Sequence, residues 1–229
     1  MASPNGAVHI IYRDRVGEKL FLRVLSRQAN QDAFTTTTLS DGWVFPGCPV
    51  NGPAIACGAN GRLWALWMEG EAENAHLWWT TSDDNGKTFS AQRRFFEDSS
   101  NESAGEPSFG IAANLGLDTF ETGEAVAVWE NGGGRVWTAL LSVDGDNPVM
   151  RPKLIAGDRS RIARSPTLAT TGEAIRLCWI EEDVLSFANG STTTDPLLDN
   201  ALFPRHLRLK LTGQVLQVAI DMQLDATAK

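Results

Sequence analysis

Tyrosine is nearly missing from this chain. Tyr12 stands alone among 229 residues that hold eight tryptophans and ten phenylalanines. A chemistry that needs a tyrosine nucleophile therefore has one candidate. Histidine is also scarce, with His9, His76 and His206 forming no ligand motif. The three cysteines, Cys48, Cys57 and Cys178, are odd in number and lack the CxxC spacing of a metal or redox site. Cys57 and Cys178 fall inside apolar stretches and read as buried structural thiols. No metal and no cofactor is expected. Positive charge is short too: the net charge is −8, whereas sequence-independent nucleic-acid binding needs a basic surface. No run approaches the about 18 apolar residues of a membrane-spanning helix. The start, "MASPNGAVHIIYRDR", has no basic cluster followed by a long apolar stretch, so no signal peptide is expected. The chain reads as cytoplasmic as it stands, and as exported if it is a piece of a longer precursor.

What the chain does hold is repetition. Four segments, "AVHIIYRD", "RLWALWME", "EAVAVWEN" and "AIRLCWIE", alternate apolar with other residues and end in an aromatic followed by polar residues. That is the grammar of a strand. The aligned aromatics Tyr12, Trp67, Trp129 and Trp179 stand 55, 62 and 50 residues apart. Periods near 50 suit blades of four antiparallel strands. A second set follows each: "KLFLRVLSRQ", "HLWWTTSDDNG", "RVWTALLSVDG" and "HLRLKLTGQ", in register at Ser26, Ser82, Ser142 and Thr212. A third precedes three of them, from Pro53, Pro107 and Pro166, and a weaker fourth closes each unit. In unit order these are strands A (innermost), B, C and D.

The expected fold is an all-β propeller of four-stranded antiparallel blades in a single domain, 1–229. Its units run over about 7–45, 46–100, 105–157 and 163–221. The first unit lacks strand A. Either "DMQLDATAK" at the C-terminus supplies that strand and closes a four-bladed ring, or the chain belongs to a longer, six-bladed propeller. An open ring leaves edges that invite self-association. Helix is expected only between Asp183 and Arg205, if anywhere.

"SDDNGKTF" falls at the C-to-D turn of the second unit. Ser82, Asp84, Gly86, Thr88 and Phe89 match the Asp-box pattern Ser-x-Asp-x-Gly-x-Thr-aromatic, and the chain here resembles the sialidase superfamily of Asp-box (BNR-repeat) propellers. "GCPVNGPAIA" is similar to a blade-opening segment of bacterial sialidase-like propellers. The third unit keeps only "SVDG" (Ser142, Asp144). Ser and Asp side chains bond turn N–H groups, Gly takes a positive φ and the aromatic tucks between strands. The resemblance implies that the box is structural and lies away from a catalytic centre.

Because strands alternate in direction, A–B and C–D turns share one face of the disc, and B–C and D–A loops share the other. A ligand site is expected on the second face. The resemblance implies three arginines gripping a carboxylate, a tyrosine nucleophile activated by a glutamate, and an aspartate acid/base. Arg13, Arg15, Arg161 and Arg164 lie on that face by sequence, with Asp14, Asp41 and Glu69 as available carboxylates. Asp14 and Glu69 are also a candidate acid/base pair for another hydrolase. Tyr12 shares the register of three tryptophans and reads as a core wedge, and the Arg-Ile-Pro segment of sialidases is missing near "YRDR". Trp43 reads as a sugar-stacking platform or as a lid over the blade interior. Asn101 and Asn189 sit in glycosylation-type triplets. Three functions stay open: a noncatalytic module recognising glycan or protein through Trp43, Arg13, Arg161 and Arg164; a sialidase-type glycoside hydrolase using Arg13, Asp14, Arg164 and Glu69; and a partial gene product that retains only scaffold.

Overall fold

The computed structural model describes residues 1–44, 52–70, 76–95, 112–131, 134–142, 153–157, 162–171, 174–181, 184–191, 206–212 and 215–216. Among them there is no helix, and none long and apolar enough to cross a membrane. Among the described residues sixteen strands form four antiparallel sheets. The first is β1 (Val8–Val16), β2 (Lys19–Arg27) and β3 (Thr35–Thr38). The second is β4 (Ala54–Cys57), β5 (Leu63–Glu69), β6 (His76–Ser82) and β7 (Arg93–Arg94). The third is β8 (Ala112–Thr119), β9 (Ala125–Asn131), β10 (Arg135–Leu141) and β11 (Lys153–Ala156). The fourth is β12 (Ala163–Thr171), β13 (Ala174–Glu181), β14 (Val184–Ser191), β15 (His206–Thr212) and β16 (Val215–Leu216).

The alternation read in the sequence decides how the sheets stack. Along β5, Ala65 and Trp67 turn to the first sheet and pack with Leu22, Val24, Leu39 and Trp43. Trp64, Leu66 and Met68 turn the other way and pack with Ala125, Ala127, Trp129 and Trp137 of the third sheet. Along β9 the same split sends Val126 and Val128 to Ile175, Leu177 and Trp179 of the fourth. Two middle sheets thus bury both faces, which is why β5 and β9 read as almost unbroken apolar runs. The three layers join the four sheets in chain order.

The inner strands meet by a repeated contact. The Thr119 hydroxyl donates to the Cys57 carbonyl at 2.9 Å, and the Thr170 hydroxyl donates to the Thr119 carbonyl at 2.6 Å. One step of the repeat therefore carries each inner strand onto the next, and the arrangement is that of propeller blades. The A–B turn repeats as well. Residues 3–7, 58–62 and 120–124 share the same two backbone bonds, with Gly6, Gly61 and Gly123 each at positive φ.

That turn corrects the expectation that the first unit opens directly on strand B. The Ala2–Val8 bridge and the reciprocal Met1–His9 bonds place residues 1–3 along the inner edge of β1. The "NG" at 5–6, echoed at 60–61, was the signal. Two further registers shift. In the third unit the described part of strand A runs Ala112–Thr119, beyond the end of the segment expected from Pro107, whose residues 107–111 lie outside the described residues. In the fourth unit β14 pairs with β13 and separates it from β15. The segment 206–212 is therefore the fourth strand, and Ser191, opposite Ala174, holds the place assigned to Thr212. The ladder to β13 makes "VLSFANGS" a strand despite the Asn, Gly and Ser near its end. The C-terminal 221–229 lie outside the described residues.

Trp67, Trp129 and Trp179 are at most 1 % exposed, each turned to the preceding sheet. Tyr12 faces the corresponding way, but no described sheet precedes it, and it is half-buried instead of wedged between sheets. Ile10 at 46 % and Ile180 at 38 % exposure mark the open outer faces of the first and fourth sheets. Cys57 and Cys178 are free and half-buried, less enclosed than expected, and Cys48 lies outside the described residues.

Candidate functional site

The Ser82–Phe89 turn is held by its own side chains. The Ser82 hydroxyl donates to Asp84 Oδ1 at 2.8 Å and accepts the Gly86 N–H at 2.9 Å. Asp84 also accepts the N–H groups of Lys87 and Thr88, at 3.0 and 2.9 Å, and the Thr88 hydroxyl at 2.6 Å. Burial pushes the Asp84 carboxyl up, but the Thr88 hydroxyl and N–H, Ser82 and the Lys87 N–H together hold it below the ordinary carboxylate range. Asn85 and Gly86 take φ of 60° and 79°, where glycine is at ease and a Cβ at 86 would lie 2.3 Å from Ser26 Oγ. Phe89 packs on the layer between the first two sheets.

The turn also reaches the first sheet. Asn5 Nδ2 donates to Asn85 Oδ1 at 2.8 Å, and Gln28 Nε2 donates to the Asn85 carbonyl at 3.0 Å. The Thr37 hydroxyl donates to the Gly86 carbonyl at 3.3 Å. An A–B turn and a C–D turn thus meet on one face. Ser82, Lys87 and Thr88 all donate to Asp84, so its oxygens are occupied by the turn itself.

Glu69 stands at the far end of β5, on the strand face that carries Trp67 towards the first sheet. The Trp67 indole donates to Glu69 Oε2 at 2.9 Å. Burial raises the Glu69 carboxyl above its ordinary range; the indole bond pulls it down and the Asp41 charge raises it again. Asp41 comes from the segment that follows β3, which folds back so that Trp43 and Leu20 exchange backbone bonds at 2.8 and 3.0 Å. Trp43 is 7 % exposed and fills the layer between the sheets, which leaves little ring surface for a sugar.

The other candidates do not gather there. Arg13 is half-buried on the same strand face as Ile11, turned to the second sheet, and burial lowers its guanidinium pKa. Asp14, the next residue along the strand, points the opposite way and pairs with Arg23 at 3.0 Å. Asp14 and Glu69 therefore lie to opposite sides of the first sheet and make no acid/base pair. Tyr12 shares the side of Asp14, away from Glu69. The Arg15 Nε donates to the Gly17 carbonyl at 3.2 Å. Arg164 is exposed on β12, opposite Ile180 in the fourth sheet. Arg161 and Asn101 lie outside the described residues, and Asn189 falls in β14. Among the described residues no group of His, Cys, Asp and Glu is placed to hold a metal ion.

Sequence reasoning missed Glu130. Its Oε2 accepts Asn114 Nδ2 at 2.9 Å and the Ser165 N–H at 2.6 Å. Both donors sit at β-bulges of inner strands with φ of 51°. Met68, one sheet earlier, accepts the Ala112 N–H on its sulfur at 3.1 Å. The residues after Trp67 and Trp129 thus tie their sheets to the next inner strand. The visible signal was the acid directly after Trp129.

Two outcomes are expected. Asp84→Ala should cost about 1 kcal/mol of stability through loss of the turn network, and Gly86→Ala should cost more; urea melts at neutral pH measure both. The second concerns Glu69. A raised folded pKa contributes stability below the ordinary carboxylate value that is lost as pH rises through the folded value. Asp84, depressed, contributes stability above the ordinary value, common to parent and variant. Glu69→Gln should therefore gain stability over the parent between about pH 4 and pH 7. A difference that stays flat with pH would contradict the burial of Glu69 beside Asp41.

No family model matches the chain, and no curated protein matches it. Among solved structures, it is similar to the NanB sialidase from Streptococcus pneumoniae, at 12% identity and TM-score 0.45, over 75% of this chain and 25% of that one. It is similar to the intramolecular trans-sialidase from Ruminococcus gnavus, at 12% identity and TM-score 0.45, over 78% of this chain and 38% of that one. It is also similar to the native Bacillus subtilis arabinanase Arb43A, at 14% identity and TM-score 0.40, over 92% of this chain and 82% of that one. The chain thus spans about a quarter of the sialidase and about two fifths of the trans-sialidase.

Proposed function

We propose that this chain is a noncatalytic recognition module on a sialidase-like Asp-box scaffold, taking a glycan or a protein at the loop face opposite the Ser82–Phe89 turn. The observation that carries the reading is the separation of Tyr12 from Glu69. A retaining mechanism needs the nucleophile and its activating acid around one anomeric carbon. Here Tyr12 faces away from the second sheet, while Glu69 stands on the second sheet and gives an oxygen to Trp67. Read as an Asp-box, the turn is structural: it staples the second sheet to the first and leaves the opposite loops as the accessible polar surface. Arg13 and Glu69 would contribute charge there, and Arg161 and Arg164 would do so from the fourth unit. A second reading, a glycoside hydrolase, is favoured by one feature, the raised carboxyl of Glu69 beside Asp41, which is the environment of a general acid.

A chromogenic sialoside separates the two. The chain should give no turnover, with Tyr12→Phe as control, and a glycan array should then find ligands whose binding falls on Arg13→Ala and Arg164→Ala. Turnover that disappears in a folded Tyr12→Phe variant would overturn the module and make Tyr12 the nucleophile.

A further inference from the structure

We propose that β3, the outer edge of the first sheet, is a docking edge for an acidic extended peptide, which adds as a further strand and places one side chain in the cavity beside it. This surface lies on the rim, and the inference does not rest on the loop-face reading above.

Strand direction comes first. β3 ends the order β1-β2-β3 and has no described strand outside it. The Leu39 N–H donates to the Leu22 carbonyl at 2.8 Å. In an antiparallel ladder alternate residues point to the partner, so the N–H and C=O groups of Thr36 and Thr38 point outward. Thr35, Thr36 and Thr38 are exposed. This edge carries none of the usual protection: it has no proline, no charge and no bulge, and all four residues are β-branched.

A cavity of about 280 Å³ opens beside that edge, lined by Thr37, Thr38, Leu39, Thr80, Phe89 and Gln92 among others. Leu39 and Phe89 give it apolar lining, and Thr37, Thr80 and Gln92 give it polar lining whose side chains bond the Gly86, Ser90 and Leu39 carbonyls. Strand addition uses this combination, in which main-chain bonds supply affinity and a pocket for an alternate side chain supplies selectivity.

Charge selects the peptide. Arg23 stands opposite Thr38, and Arg27 lies one residue beyond the Ser26–Thr35 pair. Arg94 of β7 stacks on Trp78 at 5.3 Å, on the face of the second sheet turned to the first, whereas Arg93 stacks on Trp79 on the face turned to the third. Asp14 offsets Arg23. In a chain of net charge −8, arginines on both sides of one edge strand form a local positive field that favours carboxylates.

The probe is an N-acetylated, C-amidated octapeptide alternating threonine and glutamate, titrated calorimetrically into the full chain and followed by amide exchange. Binding should weaken with salt, and the threonine–lysine counterpart should bind at least about tenfold more weakly. The Thr36 and Thr38 amides should exchange about tenfold more slowly in the complex. Thr36→Pro removes an outward donor at an edge position that accepts proline, and should lower affinity about tenfold. The amide protection needs no variant, so it stands even if that one fails to fold. No binding, equal binding of the two peptides, or protection away from Thr36 and Thr38 overturns the proposal. So does a cavity that takes methyl β-galactoside and no peptide, which would be a sugar pocket.

Discussion

A middle sheet in this molecule has to satisfy two neighbours with one strand. β5 sends Ala65 and Trp67 to the first sheet and Trp64, Leu66 and Met68 to the third; β9 does the same between the second and fourth. Side chains alternate strictly along a strand, so a slip of one residue would exchange the two faces. Everything else is arranged around that register. The inner strands step from Cys57 to Thr119 to Thr170 through equivalent hydroxyl–carbonyl contacts. The Ser82–Phe89 turn adds a polar clasp on one face, from Asn85 and Gly86 to Asn5, Gln28 and Thr37. The terminal sheets have one such neighbour each among the described residues, and this decides the surroundings of Tyr12.

The two faces of the disc differ in what their polar groups are doing. Around the turn, Ser82, Asp84 and Thr88 bond one another and the local backbone. At the other face, Glu69 is held between an indole and the Asp41 charge, and Glu130 spans two bulged inner strands whose Asn114 and Ser165 sit at positive φ. Backbone of that kind persists only where surrounding bonds enforce it, and Glu130 supplies them. Glu69 and Glu130 are thus built into the seams between sheets.

Much of the fold was legible because burial repeats. Trp67, Trp129 and Trp179 mark the same place in three sheets because each fills the same space against the preceding one. The turn was legible because its bonds are local, spanning at most four residues. What was not legible depends on pairing across distance. "VLSFANGS" carries turn-forming residues at its end, yet the ladder to β13 makes it a strand. The stub at residues 1–3 is too short for periodicity to detect, and only its bonds to Val8 and His9 reveal it. The approach of Asp41 to Glu69 joins the segment after β3 to the end of β5, and the bond of Glu130 with Ser165 joins two sheets; no spacing in the chain encodes either.

Amide hydrogen exchange on the intact chain tests the stacking most directly. If the second and third sheets are each buried on two sides and the first and fourth on one, the amides of β5 and β9 should be the slowest to exchange, with β1 and β13 opening earlier. Protection in β1 or β13 equal to or greater than that in β5 and β9 would contradict the series of sheets, and with it the placement of Tyr12 on an open face.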